Sequence, residues 1–403
     1  MINEDLDQFF ENYLKKSSIF KNKQTLQSNF TPENIPHRDE QVKQIADMLA
    51  PSLKLEKPSN IFIYGKTGTG KTVTTKFITD KIKHLASQKN IPISVLYLNC
   101  KLKKVADTEY RLMAQLLREL GKEVPSTGLP TDDIYRLLFS TIDQNKQLIV
   151  LILDEIDQLI NKTGDEILYN LTRMNGELKN TQITLIGISN NLMFKDNLDP
   201  RVKSSLSEEE VVFNPYNALQ LQDILKDRAK EAFVENSVSQ GVIEKCAAYA
   251  AREHGDARRA LELLRIAGEI AERKNSQSIG LVHIDEAEEK IEKDRVLNII
   301  SSQPKQQQAA LYAILSIKEN FNDKVFTGEI YDFYSKICKE TGLRPLTQRR
   351  VSDIISELDM LGIINAKITS QGRYGKRREI SLAIPDSIKE KVKQTLAEGL
   401  SLS

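Results

Sequence analysis

Four short, nearly unbroken apolar runs mark the first half of the chain: Ile61–Gly65, Ile93–Asn99, Leu148–Asp154 and Ile183–Ser189. The segments between them space their apolar residues as amphipathic helices do. Apolar runs of this length separated by helical patterns predict buried parallel strands of an α/β sheet. From Asn217 to Val296 the pattern is helical only. The polar stretch Ser301–Gln308 predicts a linker, because its Pro and Gln side chains bury little. Two or three short helices and a hairpin-like stretch, Ile363–Ile384, follow it. Three units are therefore expected: an α/β domain over 1–213 (its first 30 residues an N-terminal arm), a helical domain over 214–298, and a small α+β domain over 299–403.

Composition narrows the class. A length of 403 residues suits two or three domains, and 40% hydrophobic with 28% charged residues excludes disordered and fibrous chains. No apolar run approaches the roughly 20 residues that a membrane helix needs. The first residues carry acids and no apolar core, so no secretory signal is expected. A soluble, cytoplasmic protein is the default. Cys100, Cys246 and Cys338 match no metal or redox spacing, and the four histidines are equally scattered. All seven read as packing or surface residues. Charge is uneven: residues 300–403 hold 16 basic against 12 acidic side chains, whereas the rest holds 41 against 44. The placement of that excess matters more than its size.

Gly65-Lys-Thr-Gly-Thr-Gly70-Lys71-Thr72 fits the phosphate-loop pattern, following an apolar strand and opening an amphipathic helix. Its glycines let the backbone curl so that successive N–H groups face an anion, and the helix N-terminus adds partial positive charge. Lys71 is expected on the β- and γ-phosphates and the Thr72 hydroxyl on Mg²⁺. The second half of such a site is the strand Leu148–Leu153 ending in Asp154-Glu155. Asp154 is placed to hold Mg²⁺ and Glu155 to polarise water as a general base. No Asn-Lys-x-Asp guanine signature follows, so ATP is favoured over GTP. Asn190, at the tip of the next apolar run, is placed to reach the lytic water or the γ-phosphate. Taken alone it reads as an ordinary turn. Arg201 lies in a turn, free to reach a neighbouring subunit's phosphate or to pair with a surface acid. Arg258, at the start of the helix after Gly255-Asp256-Ala257, is placed to swing onto a nucleotide.

Thr347–Leu361 reads as one helix, capped by Thr347 and stopped by Gly362. Val351, Ile354, Ile355, Leu358 and Leu361 form its core stripe. The opposite face offers Gln348, Arg349, Ser352 and Ser356, with Arg350 at its edge. Arg and Gln there suit base edges while the helix start meets phosphates. The hairpin that follows carries Arg373, Tyr374, Lys376, Arg377 and Arg378 at its tip. A helix followed by a basic hairpin is a winged-helix arrangement, and most contacts of such a wing go to phosphate.

Phosphate loop, acidic strand end, Asn-tipped strand, Leu198-Asp-Pro-Arg201 turn and Gly255–Arg258 helix, in this order, resemble an AAA+ ATPase. With Ile35–Gln41, Asn214-Pro-Tyr216 and Thr347–Asp353 added, the chain closely resembles the archaeal origin-recognition/cell-division-control replication initiators. The resemblance runs from roughly residue 15 to residue 395. It implies an ATP-binding protein that marks origin duplex DNA and helps load the minichromosome-maintenance helicase, alongside paralogous initiator subunits at the nucleoid. It places nucleotide contacts on Thr67, Gly68, Thr69, Gly70, Lys71 and Thr72, on Tyr216 and on Arg228. Asp154 and Glu155 take the metal and base roles, Asn190 and Arg258 the two sensor roles, and Arg201 an arginine-finger position. Val124–Leu129, with Thr127 and Gly128, matches a DNA-contacting insertion. The resemblance also implies slow turnover, with ATP as a switch. Two other classes fit the motifs: a loader or remodeller that binds DNA without sequence preference, and a nucleotide-sensing transcription regulator.

Overall fold

A computed structural model describes residues 18–28, 30–101, 108–125, 128–194, 198–206, 208–320, 325–370 and 376–402. The chain divides into two compact units, 1–284 and 285–403. In the first, a 3-10 turn (Lys23–Leu26) leads to α1 (Asp39–Leu49), β1 (Asn60–Gly65), α2 (Lys71–Lys89), β2 (Ile93–Asn99), α3 (Glu109–Glu119), α4 (Thr131–Ile142) and β3 (Gln147–Asp154). Next come α5 (Ile156–Thr163), α6 (Glu166–Arg173), β4 (Thr181–Ser189), α7 (Pro200–Leu206) and β5 (Glu208–Phe213). Three helices follow, α8 (Ala218–Ala232), α9 (Val242–Arg252) and α10 (Ala257–Arg273), and then the start of α11 (Leu281–Ser301).

The five strands form one parallel sheet in the order β2-β3-β4-β1-β5. Alternation explains why the runs look continuously apolar. Phe62 and Tyr64 of β1, with Ile149, Leu151 and Leu153 of β3, pack towards α3 to α7. Ile61, Ile63, Leu148, Val150 and Ile152 pack on the other face, against α1 and α2. With both faces covered, no position is left for a polar residue until the carboxyl edge. Four strands are expected from the pattern; the structure adds β5. Its Glu208-Glu209-Glu210 start conceals it, and only Val211 and Phe213 turn inward. An edge strand has one neighbour, and charges along it discourage further pairing.

The helical part of this unit packs α8, α9 and α10 around Leu221, Leu225, Cys246, Ala250, Leu263 and Leu264. Residues 18–28 belong to the same packing. The Lys21 and Asn22 amides donate to Ala232 O, Val234 N donates to Ile19 O, and the Phe20 ring lies 4.8 Å from that of Phe233. Lys23 pairs with Glu269 at 2.7 Å. The described part of the expected N-terminal arm thus lies along the lid helices.

The second unit contains the rest of α11, then α12 (Lys305–Asn320), β6 (Val325–Phe326), α13 (Thr327–Glu340), α14 (Gln348–Met360), β7 (Ile364–Ser370), β8 (Lys376–Leu382) and α15 (Asp386–Leu400). Its antiparallel sheet has the order β6-β8-β7. Ile314, Ile330, Tyr334, Val351, Ile355, Ile380 and Val392 centre its own core. The expected linker lies inside the second unit and is largely helical: Ser301 ends α11, Lys305 opens α12, and Gln308 is buried, its amide donating to Ser301 O and Gln303 O. Leu361 leaves the apolar stripe: it is the C-cap of α14 and is 42% exposed, whereas Val351, Ile354, Ile355 and Leu358 are buried. The terminal helix α15 was not among the expected elements. All three cysteines are buried and unbridged. Among the described residues no helix is long and apolar enough to cross a membrane.

Gly187 in β4 tests how tightly the sheet is packed. A Cβ there would stand 2.6 Å from the Phe62 ring and 3.1 Å from Ile156. Gly187→Ala is expected to lower the unfolding free energy by about 1–3 kcal/mol, read from urea denaturation.

Candidate functional site

The carboxyl ends of β1, β3 and β4 bring the predicted chemistry to one edge of the sheet, where open α/β sheets bind ligands. Gly68 (φ 72°) and Gly70 (φ 93°) hold conformations that L side chains rarely adopt, and both are hemmed in. A Cβ on Gly68 would collide with the Asp256 carboxylate, and one on Gly70 would stand 2.8 Å from the Tyr216 hydroxyl. Gly70 is the N-cap of α2, so the loop feeds directly into a helix start.

Lys71 follows, 5% exposed. Its ammonium donates to Gly65 O (2.8 Å), Lys66 O (2.8 Å) and Asn190 Oδ1 (2.9 Å), which uses all three protons. Burial pushes Lys71 down to about 8, the Asp154 charge and those of Asp157 and Asp256 opposing, Arg258 assisting. Thr72 Oγ1 donates to Asp154 Oδ2 at 2.8 Å. The same oxygen accepts the Tyr97 hydroxyl at 2.7 Å, while Oδ1 accepts the Glu155 amide at 2.9 Å. Burial, and then Asp154, hold the Tyr97 phenol well above its ordinary range, so it stays a donor. Glu155 sits in the left-handed region (φ 55°), a strain of about 1–3 kcal/mol for a residue with a Cβ. That turn separates the two acids: Asp154 faces Thr72, and Glu155 lies 3.6 Å from Lys101 Nζ.

Around these groups lies a cleft of about 450 Å³. Of the predicted residues, Gly68, Thr69, Gly70, Lys71, Thr72, Asp154, Glu155, Asn190, Tyr216, Arg228 and Arg258 line it. Two do not. Thr67 is exposed on the loop's outer side. Arg201 lies in the first turn of α7 rather than in an irregular turn, 86% exposed, its guanidinium on Asp199 at 3.2 Å.

The cleft joins the sheet to the lid. Tyr216 is buried beneath Gly255, whose carbonyl accepts its amide, and Ala257 N donates to Gly68 O. The Asp256 side chain caps α10 through the Arg258 and Arg259 amides. Several residues here carry no sequence signal of their own. Arg38, 4% exposed, donates to Thr69 O (2.9 Å) and Asn214 O (2.6 Å), and its guanidinium stacks 3.9 Å over the Tyr216 ring. Residues 30–36 roof the cleft, with the Phe30 ring 4.6 Å from the Arg228 guanidinium. Asp157, 8% exposed, accepts Ser189 Oγ (3.0 Å) and the Asn190 amide (3.4 Å), bracing the strand end that carries Asn190. Arg38 appeared only within the Ile35–Gln41 motif. An apolar-strand tyrosine such as Tyr97 reads as packing.

These residues fit a magnesium nucleotide. Arg228 is 9% exposed, lines the cleft, and its NH1 is buried with no partner among the described residues. Such a donor is costly unless an anion or ring acceptor completes it. Thr72 Oγ1 and Asp154 Oδ2 offer two oxygens to a hard cation, which usually takes one or two carboxylates plus phosphates. A bound nucleotide would supply the electrophilic phosphorus and its leaving group, and a divalent cation held by Thr72 and Asp154 would offset their negative charge. Lys71 and Arg258 bring positive charge to this cleft, and Glu155 and Asn190 line it beside them.

In the second unit, Thr347 caps α14 through the Arg350 amide. Gln348 and Arg349 are exposed at the helix start, and Ser352 is half-buried beside them. Arg350 turns to Asp353 (3.5 Å) and Glu357 (3.9 Å). Arg378 of β8 donates to Ser352 O (3.3 Å) and Ser356 Oγ (2.8 Å), keying the hairpin to the helix. Thr127, Arg373 and Tyr374 lie outside the described residues, as do the side chains of Lys376 and Arg377. Gly128 is exposed, with φ 118°.

Family models match three stretches of the chain: an AAA domain over 54–192, a Cdc6 AAA+ ATPase-type lid domain over 222–289, and a CDC6 C-terminal winged helix domain over 298–392. The chain is 53% identical over 383 residues to an ORC1-type DNA replication protein of Pyrococcus abyssi, covering 94% of this chain and 91% of the relative. It is 51% identical over 388 residues to the ORC1-type DNA replication protein of Thermococcus kodakarensis, covering 95% and 93%. Among solved structures, the Aeropyrum pernix ORC1 protein in complex with DNA superposes with a TM-score of 0.82 at 42% identity, covering 95% of this chain and 98% of that one.

The depressed Lys71 sets a pH dependence. A bound phosphate favours the ammonium, so above about 8 the free protein must take up a proton to bind. ADP affinity is therefore expected to fall by up to about tenfold per pH unit as pH rises from 8 towards 9. Titrating a fluorescent ADP across that range checks it. Lys71→Arg, whose side chain stays charged, should flatten the slope.

Proposed function

The chain belongs to the ORC1-type family of DNA replication proteins, and from that premise we propose a nucleotide-switched initiator that recognises duplex origin DNA. ATP binds in the cleft between sheet and lid, and its slow hydrolysis serves as a conformational switch rather than as flux. Lys71 and Arg258 take the phosphate charge, and Thr72 with Asp154 holds Mg²⁺. Glu155 and Asn190 direct the water, and Tyr216 with Arg228 flanks the nucleoside. Arg201, exposed and outside the cleft, suits an arginine finger offered to a second subunit, such as a paralogous initiator. The DNA-bound protein recruits or helps load the minichromosome-maintenance helicase.

One observation carries the DNA reading. The first turn of α14 presents Gln348 and Arg349 to solvent, while the neighbouring arginines are engaged, Arg350 with Asp353 and Glu357 and Arg378 with the helix backbone. Exposed Arg and Gln at a rigid helix start have the chemistry and spacing for base edges in a major groove. The DNA complex of the Aeropyrum pernix ORC1 protein, similar over 95% of this chain, supports the same reading. The basic wing residues, Lys376 and Arg377 with Arg373 and Tyr374, and the insertion with Thr127 and Gly128 then serve as phosphate and groove contacts.

Selection from a random duplex library at moderate salt tests this. Enrichment of a defined motif is expected, and Arg349→Ala and Gln348→Ala should each weaken it by about 1–3 kcal/mol while leaving binding to unrelated duplex nearly unchanged. Binding that tracks only salt, without an enriched motif, returns the protein to the class of sequence-indifferent loaders.

A further inference from the structure

Three hydrogen bonds hold the Asp154 carboxylate. Its Oδ2 accepts two hydroxyls, Thr72 Oγ1 at 2.8 Å and Tyr97 Oη at 2.7 Å, and its Oδ1 accepts the Glu155 amide at 2.9 Å. The three donors come from three places: the start of α2, the end of β2 and the chain following β3. Tyr97 pairs in register with Ile152, two residues before Asp154, so its ring must reach forward along the sheet edge to make the bond. The ring is itself fixed. Lys76, one helical turn beyond Thr72, places its ammonium 4.0 Å from the ring centre. Lys76 lines the cleft, whereas Tyr97 does not.

We infer that Tyr97 is a positioning residue for the divalent cation: its hydroxyl locks the Asp154 carboxylate in the rotamer that, with Thr72, faces the metal of a bound metal–nucleotide. This rests on the nucleotide-site reading and extends it to a side chain outside the cleft. The physical reason is rotamer freedom. An aspartate on a strand end has two soft torsions, and Thr72 alone binds only one oxygen from one side. When Thr72 turns its oxygen to a cation, the Tyr97 bond is the one from a neighbouring strand that keeps Oδ2 in place. Outer partners that orient metal ligands commonly contribute tenfold or more to affinity.

The test uses the full chain, ADP and Mn²⁺ as a paramagnetic probe, with bound Mn²⁺ counted by electron paramagnetic resonance. Tyr97→Phe keeps the ring, the packing and the Lys76 contact and removes only the hydroxyl. The expected result is Mn²⁺ affinity in the ADP complex weakened by about tenfold, with ADP affinity in EDTA unchanged and the melting temperature lowered only by the loss of one hydrogen bond. Tyr97→Leu, which removes the ring as well, should match Tyr97→Phe in Mn²⁺ affinity while lowering the melting temperature further. Equal or tighter Mn²⁺ binding in Tyr97→Phe overturns the inference, because the hydroxyl then only packs or competes with the metal. If the unaltered protein binds ADP with no Mn²⁺ coupling, the metal assignment of Thr72 and Asp154 fails, and this inference with it. If it retains no ADP at all, the nucleotide-site reading has failed first.

Discussion

A single ammonium, that of Lys71, organises the carboxyl edge of the sheet. Burying a cation is costly unless every proton finds an acceptor. Here the acceptors are two carbonyls of its own loop and the side-chain oxygen of Asn190 at the tip of β4. That requirement fixes the loop's curl, which needs positive φ at Gly68 and Gly70. The pairing of β1 with β4 is what brings Asn190 within reach of the lysine. Asp157, buried behind Asn190, holds that strand end through the Ser189 hydroxyl and the Asn190 amide. The same lysine is the group a phosphate would recruit. Its neutralisation by protein dipoles rather than by a carboxylate leaves it ready to exchange them for a stronger anionic partner.

From this edge the coupling runs into the lid through short, mostly backbone contacts. Ala257 N reaches Gly68 O, and Asp256 stands over the same glycine. Tyr216 lies under Gly255 with its hydroxyl on Gly70, and Arg38 clamps it from below while bonding Thr69 O. A second tie comes from the other end of the chain. Residues 18–28 lie along α8 and α10, residues 30–36 roof the cleft, and Arg38 then anchors on the phosphate loop. The lid is thus joined to the sheet by two chain segments, one near Tyr216 and one near Phe30, and both residues line the cleft with Arg228. A displacement of the phosphate loop would pass directly to the lid through these contacts.

What was legible in the sequence was what is local in the chain. The phosphate loop, the Asp154-Glu155 strand end, four of the strands and the caps of α14 are each written within a dozen residues, where spacing maps onto geometry. What was illegible depends on partners far along the chain. Arg38 bonds Thr69 and Asn214, and Tyr97 finds Asp154 across a strand pair; in sequence each is a single residue without a pattern. The strand β5 failed for a related reason, since its three glutamates obey the rule for an edge and not the rule for a buried strand. The linker expectation erred in the opposite direction. Glutamines read as solvated, yet Gln308 is buried, its amide closing the Ser301 carbonyl at the end of α11 and the Gln303 carbonyl in the turn beyond it.

The second unit shows why an excess of basic residues is a weak guide until each is placed. Of the arginines read as a DNA-facing set, Arg350 is turned along the helix to two acids and Arg378 is spent joining β8 to α14. Neither engagement is wasted. A side chain can read a base edge only if the helix carrying it is held within a fraction of an ångström. Arg378 supplies such rigidity by bonding the Ser352 carbonyl and the Ser356 hydroxyl. The Thr347 cap fixes the first turn, where Gln348 and Arg349 project. The buried stripe Val351, Ile354, Ile355 and Leu358 then sets the helix's rotation about its own axis. On the proposed DNA reading, discrimination between sequences falls on few side chains, held rigid by the others, which is the arrangement expected where phosphate contacts supply affinity and base contacts supply choice.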